Sequence, residues 1–130
     1  MVGIDRRAFM MTAAVASFLP APGIGALAAD GVGLDGVISD RRFAESRAFG
    51  SAAEARGIAH WPMAGDVTRI WLQELDPRWR RGAAIVAGLT TRQALFCLEQ
   101  LARDRGMRVF RRIEHSELLV SWLIQPRSRA

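Results

Sequence analysis

The stretch AAIVAGL, residues 83–89, is apolar at nearly every position. A strand of that kind has no solvent face. It belongs in a sheet covered on both sides, the usual setting of parallel strands joined by helical crossovers. The rest of the chain is patterned to match. GVISD (36–40) is a short β-branched run that predicts a first buried strand. RRFAESRAFGSAAEARG follows as an alanine-rich helix with a glycine stop at Gly57. IAHWPM (58–63) predicts a second strand, with Pro62 favouring its end. GDVTRIWLQELDP opens at Asp66, a natural N-cap, and carries Val67, Ile70, Trp71 and Leu75 at helical spacing. Asp76-Pro77 is expected to end that helix, because a proline lacks an N–H and restricts the residue before it.

After residues 83–89, Thr90 and Gln93 fit a capping box. Leu95, Leu98, Leu101 and Ala102 then form one apolar stripe, and Gly106 marks the stop. MRVFRRIEH and ELLVSWLIQ close the chain as two strands with a tight, antiparallel turn near Ser116. The order βαβαβαββ predicts an α/β fold: a small, doubly wound, mostly parallel sheet with an antiparallel edge strand. Right-handed crossovers give the strand order 2-1-3-4-5, which resembles flavodoxin. That resemblance of pattern carries no flavin.

The first thirty residues follow different rules. Arg6 and Arg7 precede a run from Ala8 to Ala29 without a charge, broken by Pro20 and Pro22. Ala26 and Ala28 stand at the −3 and −1 positions of a small-residue cleavage pattern. With Phe9, the stretch DRRAFMM resembles the twin-arginine (Tat) signal family, although Asp5, Met10 and Met11 depart from its pattern. The resemblance implies export of a folded protein by the Tat translocase to the periplasm, often with a cofactor or bound to a partner that carries one. The alternatives are an ordinary secretory signal, or an uncleaved segment anchoring the protein to the inner membrane. The expected organisation is a signal peptide at 1–28, a flexible lead-in at 29–35, one domain at 36–126 and a tail at 127–130.

Composition narrows the chemistry. All 18 basic residues are arginine, tyrosine is absent, and the net charge is +5. Schiff-base chemistry, a lysine-dependent phosphate loop and a tyrosine acid or base are therefore excluded. Cys97 stands alone, expected as a buried structural thiol. His60 and His115 lack the spacing of metal ligands, and no nucleotide-binding pattern is present, so neither a metal nor a cofactor is expected. RWRR (78–81) and FRR (110–112) interleave aromatics with arginine, but the modest charge and exported destination speak against nucleic acid. A nucleophile would need Ser39 or Ser116 to meet a histidine in space.

Ligands of such sheets bind beyond the carboxyl ends of the strands, where the strand order reverses. That places Arg41 and Arg42 opposite Thr90, Thr91 and Arg92, a set suited to a small anion or an acidic peptide. The same residues also suit plain helix capping with solvated arginines. In the final strand, Leu118, Val120, Trp122 and Ile124 line one face, with Leu119 and Leu123 on the other. At a sheet edge it would seek a protein partner or a second copy.

Three functions fit these residues. One is a non-catalytic accessory or small subunit of a Tat-exported complex. Another is a stand-alone anion binder using the five crevice residues. The third is an enzyme with Asp40 or Asp66 as acid or base. DVTRIWLQELDPRWRRG and GLTTRQALFCLEQLARDRGMRV resemble segments of small, uncharacterised bacterial exported proteins, which brings no activity with it.

Overall fold

The computed structural model of the protein describes residues 33–127. The expected export signal, with Arg6, Arg7, Phe9, Ala26 and Ala28, lies outside the described residues, as do positions 29–32 and 128–130. In chain order the elements are β1 (Gly36–Asp40), α1 (Ala44–Ala55) and β2 (His60–Met63). A helical run, α2, follows, built from Thr68–Ile70, Trp71–Leu75 and Asp76–Arg81. After it come β3 (Val86–Thr90), α3 (Arg92–Arg103), β4 (Met107–Glu114) and β5 (Val120–Pro126). The fold is α/β, with helices on both faces of one five-stranded mixed sheet.

The sheet order is β2-β1-β3-β5-β4, not the expected 2-1-3-4-5. The first three strands are parallel neighbours, as the alternation predicts. The difference lies in the final hairpin, where β5 pairs antiparallel with both β3 and β4. The physical reason is burial. Residues 120–124 are buried throughout, whereas β4 alternates apolar residues with arginines. The strand that is apolar on both faces takes the interior position, and the charged one takes the rim. The C-terminal strand is therefore not an edge, and Val120, Trp122 and Ile124 belong to the core. Leu118, in the turn before it, is exposed.

One face of the sheet packs against α2 and α3 through Ile38, Val86, Trp122 and Ile124, with Ile70, Leu75, Trp79, Leu95 and Leu98 above them. The other packs against α1 through Val37, Ala87, Leu89 and Leu123, with Phe49 and Ala53. β4 carries a bulge between Val109 and Arg111, so that Phe110 is the extra residue. Met107 and Val109 precede it, their side chains in the first of these cores.

Two local expectations are corrected. α2 does not end at Asp76-Pro77 but continues to Arg81. Residues 71–75 widen into a π-helical turn in which the Asp76 N–H donates to the Trp71 carbonyl. Pro77 then falls in the first turn of the next stretch, where its missing N–H costs least. Trp79 Nε1 donates to the Ala84 carbonyl at 2.8 Å and fastens the helix end to the approach to β3. The cap of α3 is Thr91 rather than Thr90, its Oγ1 accepting from the Ala94 N–H at 3.3 Å. Thr90 is instead the last residue of β3, and its Oγ1 accepts from Trp122 Nε1 at 3.0 Å.

That indole packs against Gly88, so closely that a Cβ at this position would lie 2.1 Å from a ring carbon. Gly57 faces open space but holds a φ of 78°, in the left-handed region. Gly88→Ala is expected to destabilise the fold by about 3 kcal/mol through overpacking, and Gly57→Ala by about 1 kcal/mol through backbone strain. Urea unfolding of the two variants checks this ranking, and equal losses would refute the packing account.

Candidate functional site

β1 feeds a helix on one face and β3 a helix on the other, so the chain parts at their carboxyl ends and leaves a crevice. Its volume is about 600 Å³. Arg42 and Phe43 form one wall and Thr91, Arg92 and Gln93 another, with Ala64 to Asp66 and the hairpin residues Glu117 and Leu118 completing it.

Asp40 ends β1 with no exposure to solvent. Its carboxylate is clasped by the half-exposed Arg42, whose Nε donates to Oδ1 at 2.9 Å and Nη2 to Oδ2 at 2.7 Å. The Arg42 N–H adds a third bond at 3.1 Å. Burial alone would raise the Asp40 pKa, but hydrogen bonds from Arg42 and the charges of Arg42 and Arg41 together hold it below its usual value. Gly65, at φ 93°, lets the Arg42 guanidinium lie against the backbone, and the Phe43 ring packs against the guanidinium at 5.3 Å. Ser46 completes the knot. Its hydroxyl accepts from the Asp40 N–H at 2.7 Å and donates to the Leu89 carbonyl at 2.6 Å, tying the first turn of α1 to both strands.

On the facing wall, Arg92 reaches the hairpin. Its Nη1 donates to the Glu117 carbonyl at 2.6 Å, and its Nη2 to the Glu114 carboxylate and the Ser116 carbonyl. Of the five expected anion ligands, the structure brings Arg42, Thr91 and Arg92 to the crevice. Thr90 is buried beneath Trp122, and Arg41 stands outside the lining, its carbonyl accepting from Arg47 Nη1. Asp66 and Glu117 bring two carboxylates to the same lining, offsetting the two guanidinium groups. Asp66 is held below its usual pKa by the Thr68 hydroxyl and N–H that bond it. A general acid would need the opposite shift.

The sequence leaves open whether Ser39 or Ser116 meets a histidine in space, and Ser39 does. Ser39 Oγ lies 2.6 Å from His60 Nε2, and His60 Nδ1 lies 2.7 Å from Glu54 Oε2. The order of groups is that of a serine–histidine–acid relay. Ser39 is only 1% exposed, however, and a Cβ at Gly50 would overlap the imidazole, so the α1 backbone roofs the pair. Closed in this way, the three side chains join β1, β2 and α1 as a polar clamp. The signal that could have found it is positional: Ser39 and His60 sit on neighbouring strands, 21 residues apart, under a mid-helix glycine.

Cys97 is exposed, not buried as expected, because it falls just outside the stripe of Ala94, Leu95 and Leu98 on α3. Around the final turn Glu114 and Glu117 are exposed, but the His115 ring is tucked in, 3.7 Å from Glu45 Oε2. In the arginine-aromatic stretch, Arg78 bonds Glu74 and stacks on Trp61 at 5.0 Å, while Arg80 pairs with Asp76. Among the described residues no group of His, Cys, Asp or Glu is placed to hold a metal ion, and no helix is long and apolar enough to cross a membrane. Compared with known protein families, curated proteins and solved structures, the chain matches none.

Asp76 joins Asp40 and Asp66 in having a lowered pKa, through its hydrogen bond from Arg105 and a further one from Arg80. A carboxylate whose pKa is lower folded than unfolded favours folding at neutral pH, and that contribution fades as pH falls through the carboxylate range. Stability should therefore drop on acidification below about pH 5. Asp40→Asn should lower stability at pH 7 and flatten this acid limb. Denaturant titrations from pH 7 to pH 3 check both, and an unchanged limb would show that the Asp40–Arg42 pair is energetically silent.

Proposed function

We propose that the protein is a non-catalytic accessory module, the small subunit of an exported assembly, which binds a larger protein along its β4 edge. The observation that carries this reading is the rim of the sheet. β4 ends the sheet order, eight residues long, with Phe110 and Ile113 exposed upon it. Phe96 lies on the same side of α3 as Arg92 and Glu99, four residues after one and three before the other. Those two side chains pair with Glu114 and Arg112 of β4, so Phe96, 61% exposed, sits between two ion pairs that face the rim. Single exposed aromatics are ordinary. Two of them, one on each side of an open strand edge, suit a partner that takes up that edge.

The crevice supports the same reading from the other side. Arg42 and Arg92 are committed to Asp40 and to the hairpin, and the lining is balanced in charge. A protein carrying export arginines at Arg6 and Arg7, with its crevice groups bonded to one another, is better suited to accompany an active partner than to act alone.

The test is purification of the full chain from the periplasm under native conditions. A larger protein should co-purify with it. Phe96→Ser combined with Phe110→Ser should abolish that association while changing folding stability by no more than about 1 kcal/mol, as expected for exposed sites. Arg6→Lys with Arg7→Lys should leave the protein in the cytoplasm. A wild-type monomer without a companion in the periplasm would overturn the proposal.

A further inference from the structure

Resting on that accessory role, we infer that the β4 edge takes up an extended segment of its partner in which acidic and apolar residues alternate. The argument begins with strand direction. Side chains of an added strand point alternately to the two faces of the sheet. Each face of the rim offers a different chemistry.

On the α3 face, a cleft of about 450 Å³ lies between the helix end and the strand, lined by Glu99, Arg103 and Arg127 among others. Glu99, the acidic group there, is already bonded to Arg112 at 3.1 Å. The face therefore carries a surplus of guanidinium, and carboxylates are the side chains it would receive. On the opposite face, the Arg108 guanidinium stacks over the Phe110 ring at 5.7 Å, and Arg111 and Ile113 follow on the strand. Both apolar side chains are exposed, and they suit aliphatic groups from a neighbouring strand.

The same charges disfavour a second copy of the chain. Pairing β4 with itself would crowd two arginine-rich strands side by side, and nearby like charges are destabilising. The edge thus disfavours its own kind while retaining backbone groups for an acidic strand. The bulge at Phe110 divides the edge into regular stretches at 107–109 and 111–114, each able to pair.

The experiment uses the full chain and a fluorescent peptide of about eight residues alternating glutamate and valine, a length typical of a strand. Fluorescence anisotropy should report binding that weakens when salt is raised to about 0.3 M. The matched lysine–valine peptide should not bind. N-methylation of alternate amides along one edge of the peptide should abolish binding, since strand addition needs those donors. Arg103→Glu with Arg112→Glu should weaken it at least tenfold, and hydrogen exchange should slow within 107–114. Equal binding by the N-methylated peptide, by polyglutamate or by a single-stranded oligonucleotide of the same charge would overturn the inference, as would no binding at all. If the peptide fails while a periplasmic protein still co-purifies, the accessory role stands and the acidic-strand inference falls. If neither associates, both fall.

Discussion

Five consecutive residues of β5, from Val120 to Ile124, are buried, and the surface of the molecule follows from that fact. A strand with no solvent side must lie between two others. The tight turn at residues 115–119 then sends β4, its hairpin partner, to the rim. Trp122 secures the placement with its indole against Gly88 and its N–H on Thr90, filling the space between β3 and α3. Had the arginine-rich strand been placed inside, Arg108, Arg111 and Arg112 would all have required buried partners, at several kcal/mol each.

At the other end of the sheet the polar groups are arranged economically. Ser46 bonds two strands at once, Asp40 is neutralised by a neighbour two residues away, and Arg92 ties α3 to the hairpin. The crevice thereby becomes a rigid seam. Side chains bonded to one another in this way hold elements together, and a ligand would have to outcompete those bonds to use them.

Much of the element order was legible in the sequence because it rests on periodicity and stops. The glycines at 57 and 106 hold φ values of 78° and 76°, as helix ends require. The parallel half of the sheet was legible for the same reason. The hairpin order was not, because apolar character on both faces of residues 118–124 reads equally as an exposed liability and as a demand for burial. Helix length past Pro77 was hidden because a π turn, which has no sequence signature, absorbed the proline. At the crevice the pairing of the charged groups was not legible. Which arginine meets which carboxylate depends on loop paths: Arg92 finds Glu114 and Glu117 only because the hairpin folds back beside it. Ser39 and His60 meet across two strands for the same kind of reason.

The extra residue in β4 works like a shift of reading frame along the strand. Ahead of it, Met107 and Val109 turn toward the α3 side and enter the core. Beyond it, Arg112 and Glu114 hold that side, in register with Trp122 and Val120, and bond Glu99 and Arg92. Strict alternation would carry the odd-numbered positions through, presenting Arg111 and Ile113 to the helix and turning both ion-pairing residues outward. One inserted phenylalanine thus lets a single strand be greasy at its beginning and electrostatic at its end against the same helix.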